Sequence, residues 1–227
     1  MQGAQPADRS DVHDLIRETF ACTQEIAASI FLRGAERHFP ADATIVRQGE
    51  KAAATYLLTD GRARALLYGF DGQLVLICEY GRGDLFGALG ELDPAPEDAE
   101  VIAAGPAATF VLKARDLVML AEPYGCIGLA LSRLLLRQLR KATARIYERA
   151  AISAVGRVHA ELLRLSRQSP DGVIRPAPVL SELAVRVATT RETASRAVSA
   201  LDRRGIIRRD GDSLRVVAPQ RLEELII

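Results

Sequence analysis

Residues Val179 to Leu201 read Val-Leu-Ser-Glu-Leu-Ala-Val-Arg-Val-Ala-Thr-Thr-Arg-Glu-Thr-Ala-Ser-Arg-Ala-Val-Ser-Ala-Leu. Leu180, Leu183, Ala184 and Val187 fall on one face of a helix. Ala188-Thr189 interrupts that pattern, and Thr190 follows as an N-cap, because its hydroxyl oxygen can accept a hydrogen bond from a free amide of the next turn. A second helix then turns Ala194, Ala197, Val198 and Leu201 inward. Two short helices joined by a tight turn form a helix-turn-helix. The second helix leaves Arg191, Glu192, Thr193, Ser195, Arg196 and Ser199 facing outward. Such a surface suits a DNA major groove, where a guanidinium pairs with guanine O6 and N7 and a carboxylate accepts from cytosine N4. The plainer alternative is an αα-hairpin with a solvated charged face.

The residues that follow favour the groove reader. Gly205 ends the second helix. Ile206-Ile207 and Leu214 to Val217 are strand-like, and Asp210-Gly211 between them is a hairpin signal. Helix, helix and hairpin make a winged helix-turn-helix. Ser153 to Val217 holds 12 arginines, no lysine and seven acids, a net +5 where the whole chain carries +1. The excess is local, as a DNA footprint requires.

Thr190-Arg-Glu-Thr-Ala-Ser-Arg, followed by Leu201-Asp-Arg-Arg-Gly-Ile-Ile, resembles the DNA-reading segment of the CRP/FNR family of bacterial transcription regulators. The resemblance covers nearly the whole chain and is strongest at its C-terminal end. It implies a homodimer on a palindromic site with half-sites similar to TGTGA. By the same resemblance Arg191 and Arg196 each contact guanine and Glu192 the cytosine opposite, while Thr189, Thr190 and Ser195 hold phosphates. The partners it implies are double-stranded DNA, a second copy of the chain and RNA polymerase.

The rest of the chain supports an α+β architecture. Residues 1–10 are small and polar and are expected to be disordered. Residues 11–122 are expected to form a β jelly-roll sensor domain. Helical spacing over Asp11 to Phe20 and Thr23 to Leu32 gives way to short strands from His38 onward. Turns at Asp60-Gly61, Asp71-Gly72 and Gly81 to Gly87 separate these strands. Gln48-Gly49-Glu50, Thr59-Asp-Gly-Arg and Gly83-Asp-Leu-Phe-Gly87 look like the jelly roll of cyclic-nucleotide-binding domains. A generic cupin barrel is the structural rival, but it needs clustered histidines. Residues 123–150 are expected to form one helix about 40 Å long. Ile127, Leu131, Leu135, Leu139, Ala142 and Ile146 give it an apolar seam for a second copy. A core helix of one large domain is the alternative. Residues 151–227 form the winged helix-turn-helix, with Ser153 as the N-cap of its first helix.

The effector site is expected at Gly87, Ala88, Leu89 and Thr143. In the cyclic AMP receptor type, the glycine-rich turn is followed by a glutamate for the ribose and an arginine-serine pair for the phosphate. Here Ala88 stands in the glutamate's place, and Ala95-Pro-Glu-Asp-Ala-Glu100 in place of the pair. Glu91 to Glu100 carries five acids and no base. A cyclic phosphate meets repulsion there, so cyclic AMP is not expected to bind in the usual way. The effector is left open among another small molecule, no ligand at all, and a redox input through Cys78 or Cys126.

Cys22, Cys78 and Cys126 lie far apart in sequence, in neither a disulfide framework nor a zinc pattern. An iron–sulfur cluster usually takes four thiolates, so none is expected. His13, His38 and His159 show no ligand spacing, so no metal or haem is expected either. No nucleophile–base pair or phosphate loop supports an enzyme. No apolar run reaches the ~18–20 residues of a membrane span, so a cytoplasmic protein is expected. A sensing module acting only through protein contacts is the rival to a DNA-binding regulator.

Overall fold

The computed structural model describes residues 9–51, 53–68, 74–88 and 97–226. It divides into two compact units, one ending at Leu139 and the other starting at Arg140.

The first unit opens with helices α1 (Arg9–Phe20) and α2 (Gln24–Phe31). Thr23 caps α2 by accepting from the Ile26 amide. Strands β1 (Gly34–Phe39), β2 (Thr44–Val46), β3 (Ala54–Asp60), β4 (Ala63–Tyr68), β5 (Leu74–Tyr80), β6 (Leu85–Gly87), β7 (Glu100–Ala103) and β8 (Ala107–Lys113) follow. They form two antiparallel four-stranded sheets, ordered β1-β8-β3-β6 and β2-β7-β4-β5. This exchange of successive strands between sheets is a jelly roll. Two apolar clusters sit on it. Ile45, Leu58, Ala65, Phe86 and Val101 are buried in one, joined by the half-buried Tyr56, Cys78 and Tyr80. Leu57, Leu85, Phe110 and Leu112 pack in the other with Ile16, Phe20 and Ile30 of the two helices. Alternation along β3 explains the split, since Leu57 and Leu58 point to opposite faces.

Helix α3 (Ala114–Ala121) leads to α4 (Gly125–Ala151), and the division between the units falls inside α4. Ile127, Ala130 and Leu134 join the cluster of α1 and α2.

The second unit continues with α5 (Ala154–Arg167), β9 (Val173–Ile174), α6 (Leu180–Arg186), α7 (Arg191–Arg203), β10 (Ile207–Asp210), β11 (Ser213–Val216) and α8 (Pro219–Glu223). Ser153 caps α5 through the Gly156 amide at 3.0 Å. One core gathers Val158, Leu162 and Leu163 of α5, Leu183 and Ala184 of α6, and Ala194, Ala197, Val198 and Leu201 of α7.

Several sequence expectations are corrected. Helix α1 takes in Arg9 and Ser10, assigned above to an unstructured tail; a polar first turn continues the Val12-Leu15-Ile16 face without needing apolar residues itself. Leu85 to Gly87, read as part of a turn, is strand β6 paired with β3. The wing has a third strand, because β9 pairs with β11. Ile127, assigned to a seam between copies, is fully buried in its own chain. Residues four apart drift about 40° round a helix. The row Ile127, Leu131, Leu135, Leu139 therefore winds off the inner face, and Leu135 and Leu139 are 52% and 64% exposed. The Asp71-Gly72 turn lies outside the described residues, as do Leu89 and most of the acidic loop.

Candidate nucleic-acid interface

Helix α7 is fixed at both ends. At its start, Thr190 Oγ1 accepts from the Thr193 amide at 3.2 Å and donates to Thr193 Oγ1 at 3.1 Å. At its end, the Gly205 amide donates to the Asp202 carbonyl (2.9 Å) and the Ile206 amide to the Leu201 carbonyl (3.0 Å). That pair of bonds is a Schellman motif, and it needs the left-handed φ of +63° that Gly205 supplies.

Between these ends the helix has two faces. Ala194, Ala197, Val198 and Leu201 are buried. Arg191, Glu192 and Arg196 are exposed together on the N-terminal half, with Ser195 half-buried beside them. The Glu192 carboxyl is held below its ordinary range, first by its own backbone amide, then by the Thr190 hydroxyl and the nearby arginines. It is therefore a carboxylate at neutral pH and acts as an acceptor. The three proposed base-reading side chains thus share one surface. Thr189 is half-buried in the turn. The Thr190 hydroxyl already serves as the cap, so what this position offers a phosphate is the positive helix N-terminus.

Helix α5 supports this arrangement through residues that the sequence reading missed. Glu161, its side chain only 12% exposed, bonds Arg164 at 2.6 Å and lies 3.7 Å from Arg186 at the end of α6. Arg157 donates to the carbonyls of Val187 (2.8 Å), Ala188 (3.0 Å) and Ile152 (2.9 Å). No local signal in the sequence marks Arg157, because its acceptors on Val187 and Ala188 lie 30 and 31 residues away.

In the jelly roll, Gly87 has a φ of +79°, and a Cβ there would lie 2.6 Å from the Ala54 carbonyl oxygen. The Ala88 amide donates to Ala54 O at 3.0 Å, and the Ala88 carbonyl accepts from Thr55 Oγ1. Both backbone groups of Ala88 are thereby used inside the roll. Nearby, the Glu97 backbone pairs with Gly49 and Glu50 across their turn. Burial, and then Asp98, push the Glu97 carboxyl above its usual range. Tyr56 and Tyr80 stack on Phe86 with ring centroids 5.3 and 4.8 Å apart. Burial, aided by Cys78, pushes the Tyr80 hydroxyl well above its ordinary range. Thr143 is exposed on the part of α4 that belongs to the second unit. Among the described residues, no group of three or more His, Cys, Asp or Glu is placed to hold a metal. No single described helix is long and apolar enough to cross a membrane.

Residues 36–124 match the family model of the cyclic nucleotide-binding domain, and residues 156–225 match the Crp-like helix-turn-helix domain. The cyclic AMP receptor protein of Thermus thermophilus is 31% identical over 203 residues, covering 88% of this chain and 91% of that protein. The chain belongs to the CRP/FNR family of transcription regulators. Another CRP/FNR relative, the CRP-like cAMP-activated global transcriptional regulator of Mycobacterium tuberculosis, is 27% identical over 196 residues, covering 81% and 84% of the two chains. The solved structure of CLP, the c-di-GMP responsive global regulator of Xanthomonas campestris, superposes with a TM-score of 0.77. It covers 86% of this chain and 99% of its own, and at 18% identity it shows the shared fold alone. As a CRP/FNR regulator, the chain binds DNA through its winged helix-turn-helix.

Proposed function

We propose that this regulator acts as a homodimer on a palindromic site with TGTGA-like half-sites. Arg191 and Arg196 each read guanine, Glu192 reads the cytosine opposite, and Thr189, Thr190 and Ser195 lie along the phosphates. The observation that carries this reading is the shared exposed surface of Arg191, Glu192 and Arg196 at the capped start of α7. The second copy seats on α4, where Leu135, Leu139 and Ile146 are 52%, 64% and 68% exposed. Ala142 between them is exposed as well. Their spacing of four, three and four residues is that of a coiled-coil seam. A twofold dimer presents its reading helices to successive major grooves, ~34 Å apart. RNA polymerase is the expected further partner, and the cytoplasm the expected compartment.

The sensor does not take cyclic AMP in the usual way. A phosphodiester needs free amides and a cation. The amide after Gly87 is paired with Ala54, and Glu97 and Asp98 bring carboxyls where the family places its arginine-serine pair. The named relatives from Thermus and Mycobacterium set the opposite expectation, so the question is open to direct test. Fluorescence anisotropy of a labelled TGTGA-N6-TCACA duplex, with and without cyclic AMP at two salt concentrations, separates the cases. Selective binding without nucleotide is the expected result. Selective binding only with cyclic AMP would overturn the reading of the sensor. Loss of all selectivity in both conditions would count against the half-site.

A further inference from the structure

The α6–α7 turn depends on a side chain from another helix. Val187 closes α6, and its carbonyl has no further turn of helix to bond. Ala188 follows with a φ of +49°, a left-handed conformation that an alanine adopts at a cost. The half-buried Arg157 guanidinium spans both carbonyls, with Nε on Val187 O and Nη2 on Ala188 O, while its Nη1 holds Ile152 O. Ile152 is one of the two residues between α4 and α5. One planar cation therefore joins the turn before α7 to the segment before α5. Its fork fixes direction as well as distance, and its charge strengthens each bond.

We propose that Arg157 is a positioning residue for base reading. It sets the path of the chain into α7, and so the angle at which Arg191, Glu192 and Arg196 meet the groove. The inference rests on the reading of α7 given above. A lever argument gives the scale. Arg196 lies six residues beyond the Thr190 cap, about 9 Å along α7 at 1.5 Å per residue. A swing of about 10° at the turn displaces it by about 1.6 Å, well beyond the tolerance of a bidentate hydrogen bond. Phosphate contacts, being longer-ranged and independent of sequence, survive such a swing.

The test compares the parent, Arg157→Gln and Arg157→Lys proteins on a duplex that the parent itself selects from a randomised pool, and on a scrambled duplex of equal length. Circular dichroism and thermal melting verify the fold of each protein. For Arg157→Gln, affinity for the scrambled duplex stays within about twofold, and the selected-to-scrambled ratio falls about tenfold or more. Arg157→Lys lies between, since an ammonium donates three hydrogen bonds but without a fixed fork. An unchanged ratio in Arg157→Gln overturns the proposal. So does an equal fall on both duplexes, the mark of a general loss of the domain. A parent that selects no sequence overturns the reading of α7 together with this inference, an outcome separate from the other two.

Discussion

Truncating Ile146 to alanine tests the proposed seam on α4 without weakening the helix, because alanine is the stronger helix former. The change removes three carbons, worth about 0.8 kcal/mol each when fully buried. Ile146 is 68% exposed in the single chain, so about two-thirds of that value, or about 1.6 kcal/mol, is gained only against a partner. Twofold symmetry counts the residue twice, giving about 3 kcal/mol per dimer, or roughly a hundredfold in the dimer dissociation constant. Sedimentation equilibrium of parent and Ile146→Ala proteins measures this directly. Arg137→Ala, an exposed residue outside the seam of Leu135, Leu139, Ala142 and Ile146, serves as control and is expected to change dimerisation by less than about 0.5 kcal/mol. An Ile146→Ala dimer as tight as the parent would refute the seam. Equal weakening in the control would show that the effect belongs to the helix as a whole.

Arg196→Ala is expected to cost about 1–3 kcal/mol on the selected duplex and to relax preference at one base pair, read by anisotropy against single-base variants; intact selectivity would exclude the docking proposed for α7. Thr190→Ala removes the cap of α7 and is expected to cost about 1 kcal/mol by chemical denaturation, with Thr190→Ser close to the parent; equal stability of all three would mean that the Thr193 amide finds water instead. His159 is buried beside the Leu225 carbonyl, and desolvation lowers its pKa, with Arg204 adding to the effect. The unfolded chain then binds the proton first, so stability is lost as pH falls below about 6.5 and recovers as pH rises through that window. Melting from pH 7.5 to 5.5 should show the loss, and His159→Gln should flatten it; a parent melt insensitive to pH would disprove the assignment.

The second unit was the more legible part of the sequence, for a physical reason. Its signals are local. Thr190 caps the helix that begins beside it, and Gly205 closes the helix that ends there. The 3.6-residue period of Ala194, Ala197, Val198 and Leu201 names its own buried face. The contacts of Arg157 join residues 30 and 31 positions away, and no local pattern encodes them. The same limit applies to Ile127. The period of α4 shows an apolar stripe, but whether a given residue meets its own chain or a copy depends on where α1 and α2 pack. In the jelly roll, glycine turns marked the strands, yet β6 passed for a turn because three residues are too few to show alternation. The Ala88 substitution was visible in sequence, whereas the pairing of its amide with Ala54 required the β3–β6 register.

Charge shows how far a count along the sequence overstates an interface. Of the 12 arginines between Ser153 and Val217, five serve the fold: Arg157 bonds carbonyls, and Arg164, Arg167, Arg175 and Arg186 face carboxylates. The other seven (Arg191, Arg196, Arg203, Arg204, Arg208, Arg209 and Arg215) are all exposed, and all lie in or beside α7 and the wing. Arg208 and Arg215 stand directly opposite each other in the β10–β11 register, a like-charge pair that is unfavourable in the free protein and relieved by a polyanion. These seven set the expected scale of the electrostatics of binding. If each arginine of a dimer met one phosphate, the slope of log affinity against log salt would be about −13, at about 0.9 per contact. Assigning Arg191 and Arg196 to bases leaves ten in the dimer and a slope near −9. Arg208→Ala should make the measured slope shallower, whereas Arg164→Ala, whose guanidinium faces Glu161, should leave it unchanged. A slope clearly steeper than −13 would require phosphate contacts from cations beyond these seven, and would refute the assignment of the interface to them.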